Sequence, residues 1–135
     1  MSDLPIGYWL KHLDRLIESD LDRVLAAESL DRRQWQVLNS LHNEPATLLQ
    51  LDQRLLPFLE EDETTVEPEV EALRQRGWIK GLVSLETTQE GRRAHDALLE
   101  RVQRSRDRLT ENIDDQEYLA TVDVLKRMSA NLERS

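Results

Sequence analysis

Hydroxyl and basic side chains suited to contacting a nucleic acid are concentrated in the middle of this 135-residue chain. Thr64 and Thr65 are followed by Arg74 and Arg76, and then by Lys80. Hydroxyl, guanidinium and ammonium groups are the donors that contact the phosphates and base edges of duplex DNA. In a second interpretation, the threonines cap a helix and the three cations are simply solvated. The sequence leaves both interpretations open.

Acidic side chains surround these candidate DNA-binding residues. Between residues 60 and 71 there is no base, and seven positions are acidic: Glu60, Glu61, Asp62, Glu63, Glu67, Glu69 and Glu71. The whole chain has a net charge of −9. Because phosphate neutralisation supplies much of the affinity of DNA-binding proteins, DNA binding here requires a local basic patch. The acidic run is otherwise typical of a solvated loop or of a surface that contacts another protein.

Two further arginines, Arg32 and Arg33, lie at the start of a predicted helix. Positive charge there opposes the helix dipole, so these residues need another explanation. Ion pairs with nearby acids explain them, and so does a phosphate partner; we favour the ion pairs.

The sequence contains none of the motifs that indicate catalysis. A glycine-rich phosphate loop and a Gly-x-Ser-x-Gly elbow are both missing. The absence of cysteine excludes disulfides and thiolate ligands. His42 and His95 have no nearby partner at ligand spacing, so we expect no metal site and no cofactor. We therefore expect a binding protein and not an enzyme.

The composition also bears on location and assembly. There is no apolar run of about 18 residues and no signal-peptide pattern, so we expect a cytoplasmic protein without membrane contact. Charged residues make up 33% of the chain and aromatics only 4%, which predicts a modest core for a single copy. Oligomerisation is a common remedy for such a core.

Helix-start signals precede the candidate DNA-binding residues. Asp31 with Gln34, and Thr47 with Gln50, have the spacing of capping boxes, in which a side chain and a backbone amide satisfy each other reciprocally. Pro45 ends the first of these two helices. Their predicted inner faces are Trp35, Leu38 and Leu41, and then Leu48, Leu51 and Leu55.

The third helix of this group has two candidate starts. If Thr64 is the cap, Glu67 completes a capping box but Pro68 removes a first-turn hydrogen bond. If the helix starts at Glu67 with Pro68 as its first residue, proline stands at the position that it favours. We favour the second start or a distorted first turn, and Gly77 supplies the stop. The inner face is Val66, Val70 and Leu73.

The segment 78–85 predicts two very short strands that turn at or near Lys80–Gly81. Thr87 or Thr88 then caps a long helix, whose predicted inner face is Ala94, Leu98, Val102, Ser105 and Leu109. Long amphipathic helices are also predicted at about residues 5–28 and 116–133, where apolar residues recur every three or four positions. The order of elements predicts a mainly α fold in one domain. A winged helix-turn-helix with a very short β-hairpin wing spans residues 31–91, between dimerisation helices in residues 1–30 and 92–135.

This order resembles the MarR family of bacterial transcription regulators. The resemblance covers nearly the whole chain, and its order and spacing are more specific than any single motif. The matching residues are Trp35, Val37, Leu38, Pro45, Thr47, Leu51, Leu73, Arg76, Gly77, Ile79, Thr88, Glu90, Gly91 and Arg92.

The resemblance implies a homodimer whose terminal helices intertwine, with two winged helices one DNA turn apart on a pseudo-palindromic site. It also implies a cleft that binds small aromatic acids or phenols. Trp9, His12 and Trp35 are the candidate residues for that cleft. Alternatively, both tryptophans belong to the core and His12 is a surface or dimer-contact residue.

Three features distinguish this sequence from the family pattern. Lys80 is the only base of a short wing, and Pro68 stands where the family's recognition helix carries an arginine. Glu67, Glu69 and Glu71 would lie close to the phosphates. The main hypothesis is a dimeric DNA-binding transcription regulator. The alternative is a winged-helix protein that has lost DNA binding and acts through protein–protein interaction; a third, weaker one is a small-molecule carrier.

Overall fold

The computed structural model describes residues 3–134, which form six α-helices, one 3₁₀ turn and a two-stranded antiparallel hairpin. The helices are α1 (Ile6–Ala26), α2 (Arg32–Asn43), α3 (Leu48–Leu55), α4 (Glu67–Gln75), α5 (Gln89–Leu109) and α6 (Asp115–Glu133). The 3₁₀ turn is Leu56–Phe58, and the strands are β1 (Ile79–Lys80) and β2 (Glu86–Thr87). The chain divides into two compact units, one ending at Val102 and the other beginning at Gln103. Within residues 3–134, every helix is too short or too polar to cross a membrane.

The predicted caps of α2 and α3 are confirmed. The Asp31 carboxylate accepts a hydrogen bond from the Gln34 amide at 2.8 Å, and the Gln34 side chain accepts one from the Asp31 amide at 3.1 Å. Thr47 and Gln50 exchange the same pair of bonds at 3.1 and 3.0 Å. Each capping box satisfies two amides that the first turn of a helix leaves without a partner.

Helix α4 starts at Glu67 with Pro68 in its first turn, as the favoured alternative predicts. The Thr64 cap does not form, because Asp52 of α3 supplies the missing acceptor. Its carboxylate accepts hydrogen bonds from the Val66 amide at 2.8 Å and from the Thr65 hydroxyl at 2.9 Å. This tertiary contact joins the two helices of the motif and fixes the start of α4.

The hairpin is longer than the sequence predicts. Ile79 pairs with Thr87 and Lys80 with Glu86, so five residues connect the strands; the chain turns at Gly81, near the predicted place, but the connection extends to Leu85. The cause is Leu85, whose amide donates to the Ala46 carbonyl at 2.7 Å and whose side chain is buried. Drawing Leu85 into the core lengthens the connection and leaves two apolar side chains exposed at its tip, Leu82 and Val83.

The core of the first unit is built around α2. Trp35, Val37, Leu38 and Leu41 of this helix are buried, and they form one cluster with the buried faces of α3, α4 and α5 and with the end of α1. The predicted inner residues of α4 and the middle of α5 also belong to it: Val66, Val70, Leu73, Leu98 and Val102.

The terminal helices expose most of the apolar residues predicted for their inner faces. In α1, Val24 and Leu25 are buried, but Trp9, Leu13 and Leu16 are each at least 44% exposed. None of the described residues of α6 is buried. These two helices therefore have apolar surface that a single chain leaves uncovered.

Gly91, in the first turn of α5, lies directly against the backbone of Trp78. A Cβ atom at this position would lie 2.2 Å from the Trp78 carbonyl oxygen. That oxygen also accepts a hydrogen bond from the Thr88 amide at 2.9 Å, so it is held in place. The close approach joins the start of α5 to the residue before the hairpin.

We expect Gly91→Ala to lower the free energy of unfolding by about 1–3 kcal/mol, because the added methyl overpacks a site that cannot move away. The matched control is Gly7→Ala in α1, where no atom lies within 4 Å of the added carbon. That variant should be unchanged or slightly more stable, since alanine favours a helix over glycine. Urea unfolding measures both variants. Equal stability of the two would contradict the close contact at Gly91.

Candidate nucleic-acid interface

Helix α4 occupies the position of a recognition helix, with one face buried and the other in solvent. Its outward residues, together with the residue that leads into it, are Thr64, Glu67, Pro68, Glu71 and Gln75, all of them exposed. This surface offers a hydroxyl, an amide and two carboxylates. Hydroxyl and amide groups are suited to reading base edges, and carboxylates accept hydrogen bonds from cytosine but repel phosphates.

The two predicted threonines have different environments. Thr64 is exposed, while Thr65 is half-buried. The Thr65 hydroxyl donates to Asp52 at 2.9 Å and accepts from the Glu67 amide at 3.1 Å. Its hydrogen-bonding capacity is therefore largely used inside the motif, and Thr64 is the threonine whose hydroxyl faces solvent.

Arg74 joins α4 to the hairpin. Its guanidinium donates to the Gly81 carbonyl at 2.6 Å and to the Glu71 carboxylate at 3.3 Å. Gly81 has a φ of +102°, and a Cβ there would collide with the Ser84 carbonyl, so only glycine fits this turn. Arg74 thus holds the wing against the recognition helix.

Arg76 and Lys80 lie on either side of the buried Trp78. The Arg76 guanidinium carbon is 3.9 Å from the Trp78 ring centroid, which is a cation–π contact. The Lys80 ammonium is 3.3 Å from the Glu86 carboxylate, and its side chain is 61% exposed. Exposed ion pairs of this kind contribute little to stability, so Lys80 can leave Glu86 for a phosphate at small cost.

The predicted ion pairs of Arg32 and Arg33 are confirmed. Arg32 lies 2.9 Å from Glu18 and 3.0 Å from Asp22, both in α1. Arg33 donates two hydrogen bonds to Glu63, at 3.0 and 2.7 Å. The second pair has the two-pronged geometry of strong arginine–carboxylate contacts.

The Arg33–Glu63 pair orders the acidic segment that precedes α4. Hydrogen bonds from Arg33, and then from the Glu60 amide, hold the pKa of Glu63 below its ordinary value. The pKa of Glu69 is raised, mainly by burial and then by the charges of Asp31 and Glu63. Glu63 is therefore paired with an arginine of α2, while Glu67 and Glu71 lie on the outer face of α4, where Glu71 pairs with Arg74.

The predicted ligand residues are distributed over two environments. Trp9 is 54% exposed on α1, where its ring and that of His12 pack around Tyr8 at 5.1 and 5.5 Å. Trp35 is buried and stacks on His95 at 5.1 Å. Within residues 3–134 no ring contact joins Trp35 to the α1 group. Tyr8 is a third member of this ring group, and its spacing of four from His12 is the sequence signal that places both on one helix face.

An open cavity of about 780 Å³ lies where α1, α2 and the 3₁₀ turn meet. Its lining is largely charged, with Glu18, Asp22, Arg32 and Arg33 among the residues, and Phe58 as the aromatic one. None of the three predicted ligand residues lines this cavity.

The expectation that His42 and His95 lack a nearby partner is wrong. Their rings stack with centroids 3.7 Å apart, and both lie 3.2 Å from the Asp96 carboxylate. They belong to different helices, so spacing along the chain does not indicate that they meet. Burial is the main cause that lowers the pKa of His95.

Comparison with known proteins identifies the fold. No family model and no curated protein sequence matches this chain. Among solved structures, CouR from Rhodococcus jostii RHA1 bound to p-coumaroyl-CoA has a TM-score of 0.72 at 22% identity, covering 92% of this chain and 91% of CouR. NadR in complex with 4-hydroxyphenylacetate has a TM-score of 0.70 at 18% identity, covering 96% and 98% of the two chains.

A MarR-family transcriptional regulator from Silicibacter pomeroyi has a TM-score of 0.70 at 21% identity, covering 93% of this chain and 88% of the regulator. Each match extends over nearly the full length of this chain and of the solved structure. The chain therefore has the winged helix-turn-helix fold of MarR-family regulators, as the resemblance implies.

Proposed function

We propose that this protein is a MarR-like transcription regulator that binds a pseudo-palindromic duplex DNA site as a homodimer in the bacterial cytoplasm. The observation that carries the proposal is a solvent-facing α4 with a hairpin behind it, in a fold matched over more than nine-tenths of the chain by MarR-family regulators. In such folds the second helix of the motif enters the major groove.

In the proposed complex, α4 presents Thr64 and Gln75 to base edges. Arg76 and Lys80 lie next in the chain and supply charge to the phosphate backbone. Arg74 holds the hairpin in position and adds a third charge. The acids on α4 oppose this binding, since a like-charge contact at 4 Å costs about 1 kcal/mol in water. We therefore expect modest affinity with a clear dependence on salt.

A specific observation favours the second candidate function, recognition of a protein partner through α4. The outward face of this helix carries Glu67 and Glu71, and Arg74 and Lys80 are each paired with an acid. A basic partner would meet the carboxylates without the repulsion that DNA meets. The same fold thus serves either partner, and a DNA-binding measurement separates them.

The test of DNA binding is a salt series with the purified protein and duplex fragments enriched from genomic DNA. We expect binding that weakens as salt rises, because cations released from phosphates drive association. In the double variant Arg74→Gln and Arg76→Gln, the slope of log affinity against log salt should fall by about 1.8, or about 0.9 for each lost phosphate contact.

The matched control is Arg127→Gln on α6, a 70% exposed arginine paired with Asp123 and outside the motif. It should bind DNA with the salt slope of the original protein. Absence of any binding at micromolar protein in low salt would reject the DNA proposal and leave the protein-partner function. An unchanged slope in the double variant would remove Arg74 and Arg76 from the interface.

We also propose that the segments 1–30 and 92–135 supply the dimer contacts. Outside the ring group of α1, exposed apolar residues recur every three or four positions along the helix: Ile6, Leu10, Leu13, Leu16 and Ile17. In α6 the exposed apolar residues include Leu119, Met128 and Leu132. Covering each such side chain fully is worth about 1.5–3 kcal/mol, which a second copy of the chain can supply.

Sedimentation tests the dimer. We expect the original protein to sediment as a dimer and the double variant Leu13→Glu and Ile17→Glu to sediment as a monomer, because it places charge inside an apolar contact. Arg15→Glu is the control, since it changes the net charge by the same two units on the opposite face of α1. It should remain dimeric. A monomeric original protein would contradict the proposed role of α1.

We further propose that a small aromatic acid binds the exposed ring group of α1. Two proteins of the same fold were solved with p-coumaroyl-CoA and with 4-hydroxyphenylacetate, which both carry a phenol. Tyr8, Trp9 and His12 offer ring faces and an imidazole to such a molecule. Trp35 lies buried against His95, so we assign it to the core and not to direct contact with the ligand.

Titration with 4-hydroxyphenylacetate, followed by tryptophan fluorescence, tests this binding. We expect a saturable change in emission, which Trp9→Phe should abolish because Trp9 is the exposed tryptophan of the group. Trp35→Phe should retain the response. No change in the original protein at millimolar ligand would reject the site.

A further inference from the structure

The pair His42 and His95, with Asp96, is a cluster of metal-binding side chains within the first unit. His42 lies on α2, and His95 and Asp96 lie on α5. One oxygen of Asp96 is 3.2 Å from the Nε2 atom of His42 and 3.2 Å from the Nδ1 atom of His95. The three potential donor atoms all lie within 4.8 Å of one another.

We propose that His42, His95 and Asp96 bind a divalent transition-metal ion of the Zn²⁺ type. Two imidazoles and a carboxylate are a common ligand set for such ions, with water at the fourth position. At metal–ligand distances of about 2.0–2.1 Å, the donors of a tetrahedral site lie about 3.3 Å apart. The two measured nitrogen–oxygen distances of 3.2 Å are close to this value. Because the rings are stacked with centroids 3.7 Å apart, the half-buried His42 ring would turn out of the stack so that both lone pairs meet at one ion.

His95 has the hydrogen bonding that is typical of a histidine that binds a metal. Its Nε2 atom is 2.8 Å from the Asn39 side-chain oxygen, so it carries the proton and donates. The Nδ1 atom then has a lone pair that points at the Asp96 side. Metal-binding histidines almost always donate their second nitrogen to such an acceptor, which fixes the tautomer and the ring orientation.

The proton of neutral His42 is favoured on Nε2, which faces the Asp96 carboxylate at 3.2 Å, until an ion takes that place and moves the proton to Nδ1. The buried Nδ1 atom of His42 has no hydrogen-bond partner within residues 3–134. No group on that side opposes this move, and Nε2 can then present a lone pair at the Asp96 side. Its side chain is 27% exposed and Asp96 is 67% exposed, so an ion and its water can reach the donors from solvent.

Because the three donors lie on two different helices, a bound ion would affect the stability of the fold. It would join α2, which precedes the helix-turn-helix, to α5, which follows the wing. An ion that binds only the folded protein raises its stability in proportion to ligand concentration and affinity. The melting temperature is therefore a readout of the site that does not depend on DNA binding.

The experiment is a Zn²⁺ titration of untagged protein against a chromophoric chelator, with Co²⁺ absorption to report the coordination. We expect one ion per chain, a Co²⁺ spectrum of a four-coordinate site and a rise in melting temperature. His42→Phe keeps an aromatic ring on His95 and removes both nitrogens, including the unpartnered one. It should fold, and it should bind Zn²⁺ at least about tenfold more weakly. Asp96→Asn should have the same effect. Residues that only hydrogen-bond to a metal ligand already change metal affinity roughly 10–100-fold, so the loss of a ligand should change it at least tenfold.

Two variants serve as matched controls. His12→Gln removes the remaining histidine of the chain, and Asp107→Asn makes the same change as Asp96→Asn at an exposed position of α5. Both should bind as the original protein does. No stoichiometric binding by the original protein would overturn the proposal and leave the histidines as a stacked pair. Undiminished binding by His42→Phe and Asp96→Asn would overturn it as well. Circular dichroism confirms that each variant is folded.

Discussion

The burial of α2 is the constraint on which the rest of the first unit depends. This helix is covered on several sides, since α1, α3, α4 and the hairpin all pack against it. Trp35, Val37, Leu38 and Leu41 fill the space between them. Because a close-packed core transmits small changes, the position of α4 relative to the hairpin follows from the packing of α2. The solvent-facing surface of α4 is therefore positioned by residues that lie inside the core.

Short-range physics made most of this fold predictable. The capping boxes at Asp31 and Thr47 and the proline at the first turn of α4 act within a few residues, so a sequence displays them directly. The periodicity of apolar residues likewise identified the inner faces of α2, α4 and the first part of α5 correctly. Ion pairs of Arg32 and Arg33 were predictable in kind, because charges that oppose a helix dipole need a counter-charge.

The features that sequence did not reveal are those that depend on distant residues. Leu85 lengthens the hairpin because its backbone pairs with Ala46, some forty positions earlier. Asp52 replaces the predicted cap of α4 through a contact between helices. His42 and His95 meet because α2 and α5 pack together, although 53 positions separate them. In each case a tertiary contact decided the outcome, and such a contact leaves no signal in the local sequence.

The surface charges and the buried framework of the motif are largely independent. Val66, Val70 and Leu73 position α4 whatever its outward residues are, so acids on that face do not disturb the fold. They change only which partners the face can approach. Arg33 neutralises Glu63 and ties the acidic segment to α2, and this removes one negative charge from the set that a phosphate backbone would meet. Glu67 and Glu71 lie on the outer face of α4, where Glu71 is partly compensated by Arg74, so the negative charge that remains is concentrated on that face. A partner of this protein must therefore either reach the motif mainly through the arginines and the hairpin, or carry the positive charge that the carboxylates of α4 attract.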